Sequence, residues 1–182
     1  MTSDFELIEA LVGWEGRIIR AGTERYRHAD GQQVVRDKVW HPGAVGILAV
    51  EDTTVWLTRQ PREAAGATAS LEIPAGKRDV PGEPPLETAR RELAEEVGKE
   101  AAVWRELFSF WTSPGFSDER IWVYLATELT DVPGGPAPEE DERLEVVRWP
   151  LERLQQAIAE SEDSKSLIAL LWLAAQPRGA VR

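Results

Sequence analysis

Three carboxylates stand within five positions of this chain, at Glu92, Glu95 and Glu96, immediately before Val97 and Gly98. Arg91 precedes them, and upstream lie Ala75, Gly76 and Glu83 in a stretch rich in glycine and proline. Acids crowded in this way repel one another unless a hard divalent cation sits among them, and such cations bind phosphate oxygens as readily as carboxylates. The residue types therefore point to a magnesium site suited to a pyrophosphate.

That chemistry requires a helix to place the acids. Pro84 and Pro85 suit its first turn, where proline's missing N–H costs nothing. Leu86, Ala89, Leu93 and Val97 recur at spacings of three and four residues, as the buried stripe of a helix does. Gly98 suits the left-handed residue that follows a helix. On such a helix Glu92 and Glu96 are one turn apart, and Glu95 lies about 100° from Glu96. All three share a flank beside the buried stripe.

Strands must surround the helix. Leu11–Trp14, Arg17–Arg20 and Gln32–Trp40 read as short strands of an N-terminal antiparallel sheet, with turns at Glu15-Gly16 and Asp30-Gly31. Ala44–Val50 is a continuous apolar run, expected of a strand covered on both faces. Thr53–Arg59 reads as its hairpin partner, 60–70 as a loop, and Ser70–Pro74 as a short strand entering the glycine turn. Ala102–Trp111, Arg120–Glu128 and Leu144–Trp149 read as further strands. Helices are expected from Leu151 through Ile158 and over Lys165–Ala175. This order predicts an α+β fold in which helices pack on a mixed central sheet. Residues 1–40 are expected to form a small β region, and 41–182 the domain that carries the acids.

Composition narrows the chemistry. The chain has 182 residues, no cysteine, and only His28 and His41 as histidines. Thiolate metal sites, disulfides and thiol nucleophiles are excluded. A net charge of −11 disfavours nucleic acid, whose binding depends on neutralising many phosphates. No apolar run reaches membrane-spanning length, and the N-terminal residues lack the pattern of a secretion signal, so a cytoplasmic location without membrane partners is expected.

Gly76, six residues, Glu83, seven residues, then Arg91-Glu92-Leu93-Ala94-Glu95-Glu96-Val97-Gly98 resembles the Nudix box of the Nudix hydrolases. The usual box has five residues between its first glycine and glutamate, and it ends in an aliphatic residue where this chain has Lys99. Leu71-Glu72-Ile73-Pro74-Ala75-Gly76 is similar to the strand entering the box in ADP-ribose pyrophosphatases. Ser113-Pro114-Gly115-Phe116 is similar to that subfamily's proline element, and Val39–Val45 to the start of its catalytic domain.

The resemblance implies an α/β/α Nudix sandwich and hydrolysis of ADP-ribose to AMP and ribose 5-phosphate. It implies Mg²⁺, with Mn²⁺ as a substitute, held by Glu92, Glu95, Glu96 and the carbonyl of Ala75. Gly76, Glu83, Arg91 and Gly98 then support the site. Arg59 and Arg62 are expected to clamp the diphosphate or terminal ribose. Glu72 is expected to contact the metal shell, an arginine or the substrate, and Pro114, Gly115 and Phe116 to contact the substrate. Among the acids at 139–142, Glu140 and Glu142 are the candidates to assist the attacking water. Arg17, Ile18 and Ile19 lie in a segment that in this subfamily reaches the partner's site, which implies a homodimer. Other nucleoside diphosphate derivatives (sugar, NADH, flavin or CoA compounds) remain open as substrates, as does a Nudix module that binds ADP-ribose without cutting it.

Overall fold

The computed structural model describes residues 4–137, 143–177 and 179–181. Two compact units make up the chain. One comprises residues 1–43 and 110–120, the other 44–109 and 121–182.

In the first unit, β1 (Phe5–Glu15), β2 (Arg20–His28) and β3 (Gln33–Trp40) form an antiparallel sheet in that order. Arg17–Ile19, expected to be in a strand, instead lie in the β1–β2 hairpin loop, which Gly16 N–H closes onto Ile19 O at 2.9 Å. The strand itself is β2, which hides its nature because its one buried residue is the charged Glu24. That carboxylate accepts hydrogen bonds from Tyr26 Oη and, at 3.2 Å, from Trp40 Nε1. Burial of a carboxylate is tolerated once its lone pairs are filled. The 110–120 segment joins β3 through Val39 N–H to Phe116 O (2.7 Å) and Lys38 to Asp118 (3.1 Å).

The second unit holds β4 (Ala44–Glu51), β5 (Thr54–Arg62), β6 (Ala67–Glu72), β7 (Ala75–Lys77), α1 (Pro85–Glu92), β8 (Lys99–Trp111) up to Ser109, β9 (Arg120–Asp131) from Ile121, β10 (Glu145–Pro150), α2 (Leu154–Glu160) and α3 (Ser164–Ala174). The mixed sheet runs β10-β5-β4-β9-β8, with β6 on β5 and β7 on β4. β4 and β9 are parallel. Residues 60–70, expected as a loop, are largely sheet. β5 continues to Arg62 and β6 begins at Ala67, with a register shift between Gln60 and Arg62. Pro61 sits at that irregularity, where a missing N–H is tolerated. The polar residues of this edge hairpin gave no apolar alternation to read.

Val45, Ile47 and Ala49 of β4 pack with Ala89, Leu93 and Val97 on one face of the sheet. The methylenes of Lys165 on α3 approach Gly46 on the other. This is the expected α/β/α sandwich. Lys99 stands where an aliphatic residue is usual, and the fold satisfies its charge. Its ammonium reaches Glu51 at 3.0 Å and Asp131 at 2.9 Å and lies 4.9 Å from the Trp56 ring centroid. Burial would lower its pKa, but the two acids hold it raised. Among the described residues no helix is long and apolar enough to cross a membrane.

A second buried charge cluster ties α3 to β6. Glu72 is 1% exposed. It accepts two hydrogen bonds of 2.7 Å from Arg62 and one of 2.5 Å from Lys165. Burial alone would raise the Glu72 carboxyl, but the two cations hold it at about 2, below its ordinary 4.5. A carboxyl whose pKa is depressed on folding contributes stability above its unfolded pKa and loses it as pH falls toward the folded value. The contribution of Glu72 should therefore be complete at neutral pH and vanish between 4.5 and about 2. Glu72→Gln should cost on the order of 3 kcal/mol at pH 7, as a broken buried pair does, and flatten this part of the acid limb. Urea unfolding from pH 7 to pH 3 measures both, and identical acid limbs in variant and wild type would refute the assignment.

Candidate active site

α1 opens after Pro84, whose extended backbone feeds Pro85 into the first turn. It ends in a π-helical turn, Leu93–Val97, closed by Gly98 at φ 71°. An L side chain is strained at that φ, and a Cβ there would also lie 2.6 Å from Pro136 N. The turn carries Glu95 and Glu96 on from Glu92.

Arg91 occupies the middle of the acids. Its Nη1 is 2.8 Å from Glu92 Oε1 and 2.9 Å from Glu95 Oε2, and its Nη2 is 3.4 Å from Glu83 Oε2. Burial would lower the guanidinium's pKa, but Glu92 and the hydrogen bonds to Glu83 and Glu95 hold it above its ordinary value. Arg91 Nε is buried without a hydrogen-bond partner. The hydroxyl of Thr88 donates to Glu83 at 2.8 Å, and this bond, ahead of Arg91, lowers the pKa of Glu83.

The glycine turn meets the same helix. Glu96 is 3% exposed and accepts a hydrogen bond from Ala75 N–H at 3.0 Å. Glu92 is 9% exposed. A Cβ on Gly76 would lie 1.8 Å from Glu92 Cδ, so glycine alone leaves room for that carboxylate under the turn. Ala75, Gly76, Glu83, Arg91, Glu92, Glu95 and Glu96 are thus assembled in one place. Their hard oxygen donors and surplus of negative charge fit a hard divalent cation. Among the described residues no three acids already stand close enough to hold one.

The remaining candidates are distributed differently. Arg59 forms an ion pair with Glu160 of α2, and Arg62 is engaged by Glu72. Pro114, Gly115 and Phe116 belong to the first unit, where they help line a cavity of about 360 Å³ with Phe5, Tyr26 and Lys38. Arg17, Ile18 and Ile19 are also in the first unit, with Ile18 49% exposed. Glu139, Glu140, Asp141 and Glu142 lie outside the described residues.

Thr88, Arg78 and Lys165 were not anticipated from the sequence. Thr88 sits five residues from Glu83 at the start of the helix, and that spacing is the local signal for it. Arg78, in the lengthened turn, stacks 4.6 Å from the Trp122 ring centroid and donates to Glu83 O at 3.3 Å. The longer turn is thereby tied to Trp122 and Glu83. Lys165 is 93 residues from Glu72, and no local signal connects them.

A NUDIX domain model matches residues 40–171. An ADP-ribose pyrophosphatase of Mycobacterium tuberculosis is 42% identical over 147 residues, covering 80% of this chain and 70% of that protein. An ADP-ribose pyrophosphatase of Bacillus subtilis is 37% identical over 163 residues, with 88% and 87% covered. The methanol dehydrogenase activator of Bacillus methanolicus is 36% identical over 166 residues, with 90% and 89% covered. A crystal structure of an ADP compounds hydrolase superposes with a TM-score of 0.80 over 97% of each chain at 24% identity, a likeness of fold. With the glycine turn, the acid-bearing helix and the sandwich in place, the chain belongs to the Nudix family.

Proposed function

We propose that the chain is a divalent-metal-dependent Nudix hydrolase that cuts the phosphoanhydride of ADP-ribose, giving AMP and ribose 5-phosphate. The observation that carries this is the close approach of Gly76 to Glu92, with Glu96 anchored on the Ala75 amide. It sets acids against the backbone of a phosphate-sized turn. Two relatives named ADP-ribose pyrophosphatase at 42% and 37% identity support the substrate.

Mg²⁺ is the proposed cation, with Mn²⁺ as substitute, and Glu92, Glu95, Glu96 and the Ala75 carbonyl are its proposed ligands. When bound, the metal neutralises the diphosphate and lowers the pKa of water. The chain's own residues do the rest. Arg91 orients Glu92 and Glu95 through a planar fork of donors. Glu83, fixed by Thr88, steadies Arg91. Arg59 and Arg62 hold the phosphate that does not react, which fixes the geometry of attack. A loop glutamate, Glu140 or Glu142, assists the water.

The first unit is proposed to serve dimerisation and base binding, with Arg17, Ile18 and Ile19 reaching a partner's site and Pro114–Phe116 contacting substrate. β1 supports this: it is exposed along its length and shows Leu7, Leu11, Val12 and Trp14 at 48–57% exposure. Exposed apolar side chains gathered on one strand are the kind of surface that interaction sites use. The proposed location is the cytoplasm.

A panel of ADP-ribose, nucleotide sugars, NADH, flavin and CoA diphosphates with Mg²⁺ or Mn²⁺, products resolved by ion exchange, tests the activity. ADP-ribose should be cut best, and EDTA should abolish turnover. Glu92→Gln and Glu96→Gln should each lower kcat at least about 100-fold, the scale of losing an electrostatic group at a reacting centre. Gly76→Ala should fold, because Glu92 can swing aside, yet lose comparable activity. Near-normal turnover in all three variants would sink the assignment. Analytical ultracentrifugation should give twice the chain mass, and Leu11→Glu should shift it toward the monomer. A monomeric wild type would reject the dimer.

A further inference from the structure

Arg62 is exposed over 44% of its side chain, whereas its partner Glu72 is 1% exposed. Arg62 uses Nε and Nη2 on the two oxygens of Glu72, so one edge of the guanidinium is committed to the protein. Glu96, on the acid-bearing helix, lies near enough to act electrostatically on Arg62. The direction in which the uncommitted edge points is therefore set by where Glu72 holds the other.

Glu72 is itself held from behind. Lys165 Nζ contacts Glu72 Oε2, the same oxygen that Arg62 Nη2 uses. Lys165 also pairs with Asp163 at 3.0 Å. Asp163 accepts from Ser166 N–H at 3.0 Å as the N-cap of α3, and Ser166 Oγ accepts from Ile73 N–H at 2.8 Å. Two cations and two anions, Arg62, Lys165, Glu72 and Asp163, make the cluster neutral. The start of α3 thereby grips Glu72 and Ile73, directly before Pro74 and the glycine turn.

We propose that Lys165 is a positioning residue for the proposed hydrolysis: it fixes Glu72 and, through Glu72, aims Arg62 at the substrate diphosphate. The proposal rests on the functional reading above. Without its ammonium, Glu72 keeps its bond to Arg62 but loses the partner that prevents the pair from pivoting together. The guanidinium would then meet the diphosphate at the wrong angle, and a bidentate donor is sensitive to angle.

A double-mutant cycle tests this. Lys165→Met should raise KM for ADP-ribose about tenfold, the lower range for an outer partner of a site, with the change falling mainly on KM. In an Arg62→Ala background, Lys165→Met should change KM by less than about twofold, because the residue it acts through is gone. Lys165→Arg, which keeps the charge, should recover part of the wild-type KM. If Lys165→Met does not fold, Lys165→Arg carries the same cycle, with a smaller and again non-additive effect. Additive effects on KM, or a KM unchanged in both Lys165 variants, would overturn the role of Lys165 while leaving the activity intact. A wild type that cuts no diphosphate would instead overturn the functional reading, and the proposal with it.

Discussion

One guanidinium, that of Arg91, gathers the carboxylates of Glu83, Glu92 and Glu95, with Asp79 at 3.8 Å, around the end of α1. Like charges one turn apart on a helix repel by a few tenths of a kcal/mol per pair in water, and more as burial lowers the local dielectric constant. Glu92 and Glu96 are both nearly buried. Arg91 answers this by reaching Glu83, Glu92 and Glu95 with its two terminal nitrogens. Thr88 takes a second hold on Glu83, and Ala75 N–H takes one on Glu96. These contacts hold the acids in place around the end of α1. In the proposed chemistry, metal binding becomes an exchange of partners on an existing frame.

The same solution recurs away from the site. Glu24, Glu72, Lys99 and Lys165 are all charged residues below 9% exposure. Each has at least one oppositely charged or hydrogen-bonding partner, as buried charges must. The tryptophans take part in this. Trp40, Trp56, Trp111, Trp122, Trp149 and Trp172, six of the eight, each carry an arginine or lysine over the ring. Their abundance thus reflects pairing of cations within each unit more than surfaces kept free for a nucleobase. Trp14, 57% exposed on the apolar face of β1, differs.

The departures from the usual box are met by neighbouring residues. Lys99 replaces an aliphatic residue and is received by Glu51, Asp131 and Trp56. The additional residue between Gly76 and Glu83 comes with Arg78 stacked on Trp122. Glu83 remains beside Arg91 and Thr88.

What the sequence determined was local and periodic. The proline start of α1, the stripe at Leu86, Ala89, Leu93 and Val97 and the stop at Gly98 follow from spacing on a helix, whereas the π-helical turn that carries Glu95 and Glu96 was not legible in that spacing. The buried strand β4 follows from an unbroken apolar run. The polar strands β2 and β6 escaped because edge and half-exposed strands need no apolar alternation. Only the tertiary structure decided which charges meet. Arg59 finds Glu160, Arg62 finds Glu72, and Glu72 finds Lys165 across 93 residues. Contacts between charges depend on separation in space, and the folding of the sheet, which no local period encodes, sets that separation.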